Sequence, residues 1–143
     1  MRRRLFLASL PLAFLSGAAS AAETKPPTGQ NVDLAPVAMP IIVSGRLINY
    51  VFVYIRIDLT PSADAIHLRD KEPFFRDALV RLGHRTPFIV ATDYTKLDEA
   101  RLKAAFFQAA SAIAGPGMVS GIEILPGGGP MHRTGLPKPG TIR

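Results

Sequence analysis

The sequence predicts an α+β domain: a small antiparallel sheet with a long β-hairpin, two helices packed on one face, and a final C-terminal strand. Three observations carry this reading. Leu47 to Leu59 alternates β-branched or aliphatic residues with aromatic and charged ones at a period of two. Two later segments carry apolar residues at helical spacing, bounded by proline and glycine. A last apolar run follows Gly115-Pro116-Gly117. The order strand, strand, helix, helix, strand suits helices laid over one side of a sheet.

Val37 to Val43 is the first strand candidate. Pro40 has no amide to donate, which assigns that strand to an edge or a bulge. Ser44-Gly45-Arg46 is a turn, so the first two strands form a hairpin. In the second strand Val51, Val53, Ile55, Ile57 and Leu59 share one face, while Tyr50, Phe52, Tyr54, Arg56 and Asp58 share the other. Ala63 to Arg69 carries no decisive pattern. A helix is expected from about Asp70, with Pro73 in its first turn and Gly83 as its stop. Its apolar stripe is Phe74, Phe75, Ala78, Leu79 and Leu82. Phe88 to Ala91 is a short strand candidate. Thr95 is the expected N-cap of the second helix, with Asp98 at the capping-box position. That helix runs to about Ala114 and buries Leu102, Phe106, Ala109 and Ile113. Met118 to Leu125 closes the domain.

The chain divides into four parts. Residues 1–21 read as a cleavable export signal. Arg2-Arg3-Arg4 is the basic start, the eleven residues Leu5 to Leu15 are mostly apolar, and Ala19-Ser20-Ala21 offers small side chains at both positions a signal peptidase inspects. An uncleaved inner-membrane anchor is the alternative, but the apolar stretch falls short of the roughly 20 residues a spanning helix needs. Arg3-Arg4 followed by Leu5-Phe6-Leu7 also fits a twin-arginine signal, so both export routes stay open. Residues 22–30 read as a flexible linker, 31–126 as one domain, and 127–143 as a disordered glycine- and proline-rich tail. The expected location is periplasmic, with no membrane span once the signal is removed.

The formal charge of +6 belongs partly to the leader; beyond residue 21 fourteen basic and eleven acidic residues leave +3. That mild balance, with no basic run, argues against a nucleic-acid partner. With no cysteine the chain has no disulfide and no thiolate metal site, so its fold rests on an apolar core.

Catalytic, cofactor-binding and metal-binding residues are all expected to be none. His67, His84 and His132 have no metal-ligand spacing. Ser62, Ser111 and Ser120 lack a nucleophile-elbow context. Asp70 and Asp77 lie near Arg69, Arg76 and Arg81, where ion pairing is the plain reading. Gly127-Gly128-Gly129 lacks the lysine and hydroxyl residue of a phosphate loop. The feature left over is the row Tyr50, Phe52 and Tyr54. It packs under a loop or the tail, or it forms an exposed patch that binds a partner or a second copy.

Several stretches together resemble the periplasmic domain of the flagellar basal-body protein FliL in its divergent forms. They are Leu34-Ala35-Pro36-Val37, Tyr50 to Leu59, Phe75-Arg76-Asp77-Ala78-Leu79, Leu97, Arg101-Leu102, and Gly115-Pro116-Gly117-Met118-Val119. The resemblance covers Leu34 to about Leu125 and rests on loose apolar patterns. It implies a stomatin-like fold and a non-enzymatic module that self-associates and supports a flagellar or other envelope complex. Family members usually keep a membrane anchor and end soon after the last strand, which this chain does not follow. The competing expectation is a periplasmic binding protein that holds a small apolar ligand between sheet and helices, motivated by 48% hydrophobic residues.

Overall fold

The computed structural model describes residues 29–142. The signal residues Arg3, Arg4, Ala19 and Ala21, and most of the linker, lie outside the described residues.

The predicted alternation produces the central strand, β3 (Arg46–Leu59). Two shorter strands, β1 (Asn31–Asp33) and β2 (Val37–Val43), follow one another along one of its edges, both antiparallel to it. Leu34 bridges the gap between them: it is buried, and its amide donates to the Ile55 carbonyl at 2.9 Å. The last strand, β6 (Val119–Pro130), lies antiparallel on the other edge, from Val119 opposite Leu59 to Pro130 opposite Val51. The sheet is therefore antiparallel throughout, with strand order β1/β2, β3, β6. β2 is an edge strand with a register shift between Ile41 and Ile42, as Pro40 led one to expect.

Three helices follow where two are expected. The undecided stretch becomes a short helix, α1 (Ala65–Asp70), capped by the Asp64 carboxylate, which accepts from the Ile66 and His67 amides. α2 (Glu72–Arg85) carries Pro73 in its first turn. It runs past Gly83, which is not a stop. That glycine is buried, and a Cβ there would sit 2.6 Å from the Met39 Cε, so it sets the close approach of α2 to β2. Phe74, expected in the buried stripe, is 63% exposed; Phe75, Leu79 and Gly83 form the buried face instead.

Thr95 is not a helix cap. It belongs to β5 (Asp93–Leu97), which pairs with the two-residue β4 (Ile89–Val90). Its amide and hydroxyl both donate to the Asp93 carboxylate, a local turn that competes with the helical option. Asp98 caps α3 (Glu99–Ala114) by accepting from the Arg101 amide at 3.1 Å. α3 buries Leu102, Phe106 and Ala110, while Ala109 and Ile113 are half-buried. The odd-numbered residues of β3 from Val51 to Leu59 meet Phe75, Leu79, Leu102 and Phe106 in one continuous core.

The C-terminal boundary also moves. β6 continues through Gly127-Gly128-Gly129-Pro130 rather than ending at residue 126. Beyond it, Met131 donates its amide to the Tyr50 carbonyl at 2.8 Å, and the Gly140 amide donates to the Tyr94 hydroxyl at 3.4 Å. Leu136 and Ile142 are half-buried against the core. The buried Asn49 clips this segment down: its amide donates to the His132 carbonyl (2.9 Å) and the Tyr94 carbonyl (3.3 Å). Its side-chain oxygen accepts from the amides of His132 (3.1 Å) and Tyr50 (2.9 Å).

Candidate functional site: the uncovered sheet face

Side chains alternate across a strand, so burying the odd residues of β3 beneath the helices turns Tyr50, Phe52 and Tyr54 to the other side. Phe52 is 36% exposed, and the two tyrosines are half-buried. Among the described residues no helix covers this face; the helices bury their apolar residues in the core on the opposite side.

Register adds three residues that the row alone does not contain. On either side of the β2 irregularity the paired residues are Ile41–Asn49 and Ile42–Leu47, with Ile48 left over on β3. Ile41 and Asn49 are buried on the core side, so Ile42 and Leu47 fall on the aromatic side. Leu47 is 52% exposed. At the other edge, Val51 faces Pro130 and Phe52 faces Gly129. Tyr50, joined to Met131 by the amide bond described above, continues that pairing. Met131 therefore shares the face of Tyr50, and it is 51% exposed. Tyr54 faces Leu125 in the same way. The result is an apolar patch of Leu47, Tyr50, Phe52, Tyr54, Leu125 and Met131.

The other half of the same face is charged. Arg56 pairs across to Asp33 with two short contacts, 2.6 and 3.0 Å, and faces Glu123 on its other side. The hydrogen bonds from Arg56 hold the Asp33 carboxyl below its usual range, with smaller help from the charge of Arg56 and Arg69. Asp58 adds a third acid two positions further along β3. The face is thus divided into an apolar half and a charged half with more acid than base.

The other candidates are not brought together. Among the described residues no three histidine, aspartate or glutamate side chains are grouped to hold a metal ion. His67 lies on α1, His84 on α2 with Nδ1 2.9 Å from the Val80 carbonyl oxygen, and His132 beyond β6. Asp77 pairs with Arg81, and Glu72 rather than Asp70 lies beside Arg76 at 3.7 Å. Among the described residues no helix is long and apolar enough to cross a membrane.

No family model matches this chain, and no curated protein matches it.

Sequence reasoning reached the aromatic row and missed Leu47, Leu125 and Met131. Leu47 needed the two-against-one mismatch across the hairpin. Met131 follows Pro130 in a glycine- and proline-rich stretch, where a lone apolar residue carries no periodicity.

Proposed function

We propose that this chain is a non-enzymatic interaction module of the bacterial envelope, FliL-like in its use, which joins a protein partner or another copy of itself through the uncovered face of its sheet. The observation that supports it is the clustering of exposed apolar side chains there. Leu47, Phe52 and Met131 are three of the six large hydrophobic residues left exposed among the described residues, and register brings them to one half of one face. A contiguous patch of aromatic and aliphatic side chains beside a polar margin is the usual anatomy of an interface. On this reading the leader sends the module to the periplasm, and a flagellar complex is one candidate host.

The rival reading, a chamber for an apolar ligand between sheet and helices, finds no support in the packing. Phe75, Leu79, Leu102 and Phe106 are all fully buried where such a chamber would lie.

The test replaces Leu47 and Met131 by serine and compares sedimentation velocity with a melting curve on the same samples. Both side chains are about half exposed, so the thermal midpoint should hold while association with a partner or with itself is lost. A double variant that still associates like the parent removes the face from consideration.

A further inference from the structure

A crevice of about 570 Å3 opens between β5 and the far end of β6. Its size lies in the range of small-molecule sites, roughly 300–1,000 Å3. Its apolar lining comes from Val51, Val53, Leu97, Ile124 and Leu125.

One wall is an irregular stretch that only this sequence permits. Tyr54 faces Leu125 and Phe52 faces Gly129, so Pro126, Gly127 and Gly128 together stand opposite Val53. Gly127 has φ 108°, which a side chain would strain. A Cβ on Gly128 would come 2.2 Å from the Phe52 carbonyl oxygen, a backbone atom that cannot turn away. The wall is held at contact distance by the absence of side chains.

The mouth carries Lys96, Glu99 and Arg133. Lys96 is shared with Asp93, its Nζ 3.3 Å from the carboxylate. Arg133 has no ion-pair partner among the described residues, yet it is well placed. The preceding residue, His132, is pinned at both backbone groups by the buried Asn49. The Arg133 guanidinium lies over Gly129, 3.6 Å from where a Cβ would be, an ordinary contact distance. With Asp93 taken up by Lys96, Arg133 is the mouth's one cation without an ion pair among the described residues.

We propose that this crevice binds a small amphiphile: an apolar body against Val51, Val53, Leu97 and Ile124, and a singly charged anionic head held by Arg133 with Lys96 beside it. The apolar lining supplies burial without selectivity, and the cations select the head. Glu99 at the same mouth opposes a multiply charged head such as a nucleotide polyphosphate. The site goes beyond the interface reading and shares only Phe52 and Leu125 with it, neither of which the test variants replace, so either can fail alone.

The probe is sodium decanoate, kept below its micelle-forming concentration and titrated into the whole protein while amide NMR spectra are recorded. Decanol and decylammonium are run as the neutral and cationic controls. Decanoate should shift the amides of Thr95 to Glu99 and Ile124 to Arg133 and should bind more tightly than either control. R133Q should weaken decanoate about tenfold, the loss of one charge-assisted contact. K96Q should weaken it less, because Asp93 already competes for that ammonium. The same spectra report whether each variant is folded. Leu47→Ser with Met131→Ser should leave decanoate binding as it was. Absence of shifts at these amides, equal affinity for decanol, an unchanged R133Q, or binding to anionic lipid vesicles but not to decanoate would each overturn the proposal.

Discussion

Asn49 shows how much one side chain holds. It is the one buried polar side chain among the described residues, and all its hydrogen-bonding capacity goes to backbone groups of three different segments. Asn49→Ala strands the amide and carbonyl of His132 and the carbonyl of Tyr94. It should cost about 1–3 kcal/mol in urea unfolding. Amide exchange should rise first at Met131 and His132, because the clip is lost before the core. At the sheet's other end Asp33 offers a pH prediction. Its carboxyl is held below the ordinary 3.8 by the Arg56 hydrogen bonds, so it binds protons more weakly folded than unfolded. Its contribution to stability is therefore present above that ordinary value and is lost as pH falls through the lowered one. The pair is largely exposed and its contribution small. In an NMR titration, Arg56→Ala should move the Asp33 midpoint upward toward 3.8 and leave stability at neutral pH nearly unchanged.

At the scale of elements, two glycines act alike, each admitting a neighbour where a side chain would block it. In α2, Gly83 sits in the last turn, and it is there because β2 lies too close for a side chain. In β6, Gly128 permits the backbone approach to Phe52, whereas a Cβ on Gly129 would meet only the Arg133 guanidinium at 3.6 Å. The two neighbours should part in a thermal melt. Gly128→Ala should destabilise by about 1–3 kcal/mol through overpacking, and Gly129→Ala by well under 1 kcal/mol. Equal effects would show that the stretch adapts to a side chain and that the crevice wall is not rigid.

For the whole molecule, the layer arrangement decides what is offered to partners. Helices on one side of an antiparallel sheet leave its other side to water. Here one end of that side is apolar, and the helical layer carries its own exposed residues, Ile66 at 75% and Phe74 at 63%. The export proposal also belongs to the whole chain. If the leader is cut where its small residues fall, mass spectrometry of periplasmic protein should find a new N-terminus at Ala22 or Glu23. Recovery from membranes alone, with residues 1–21 intact, would make the leader an anchor.

The sequence by itself determined the α+β class, the β2–β3 hairpin, and the face on which Val51 to Leu59 are buried, because period-two alternation leaves one way to hide five aliphatic side chains. It also placed the aromatic row opposite them. The tertiary structure decided the rest. Gly83 and Thr95 carry local signals for a helix stop and a helix cap, and both were overridden, by the packing of α2 on β2 and by the Asp93 turn of β5. The glycine run after Leu125 was unreadable for a further reason. Glycine suits a loose tail and a tightly approached strand equally well, and only the Phe52 carbonyl lying against Gly128 distinguishes them. Leu47 and Met131 joined the patch through register and through a bond to Tyr50. These are relations between distant segments, to which local periodicity is blind.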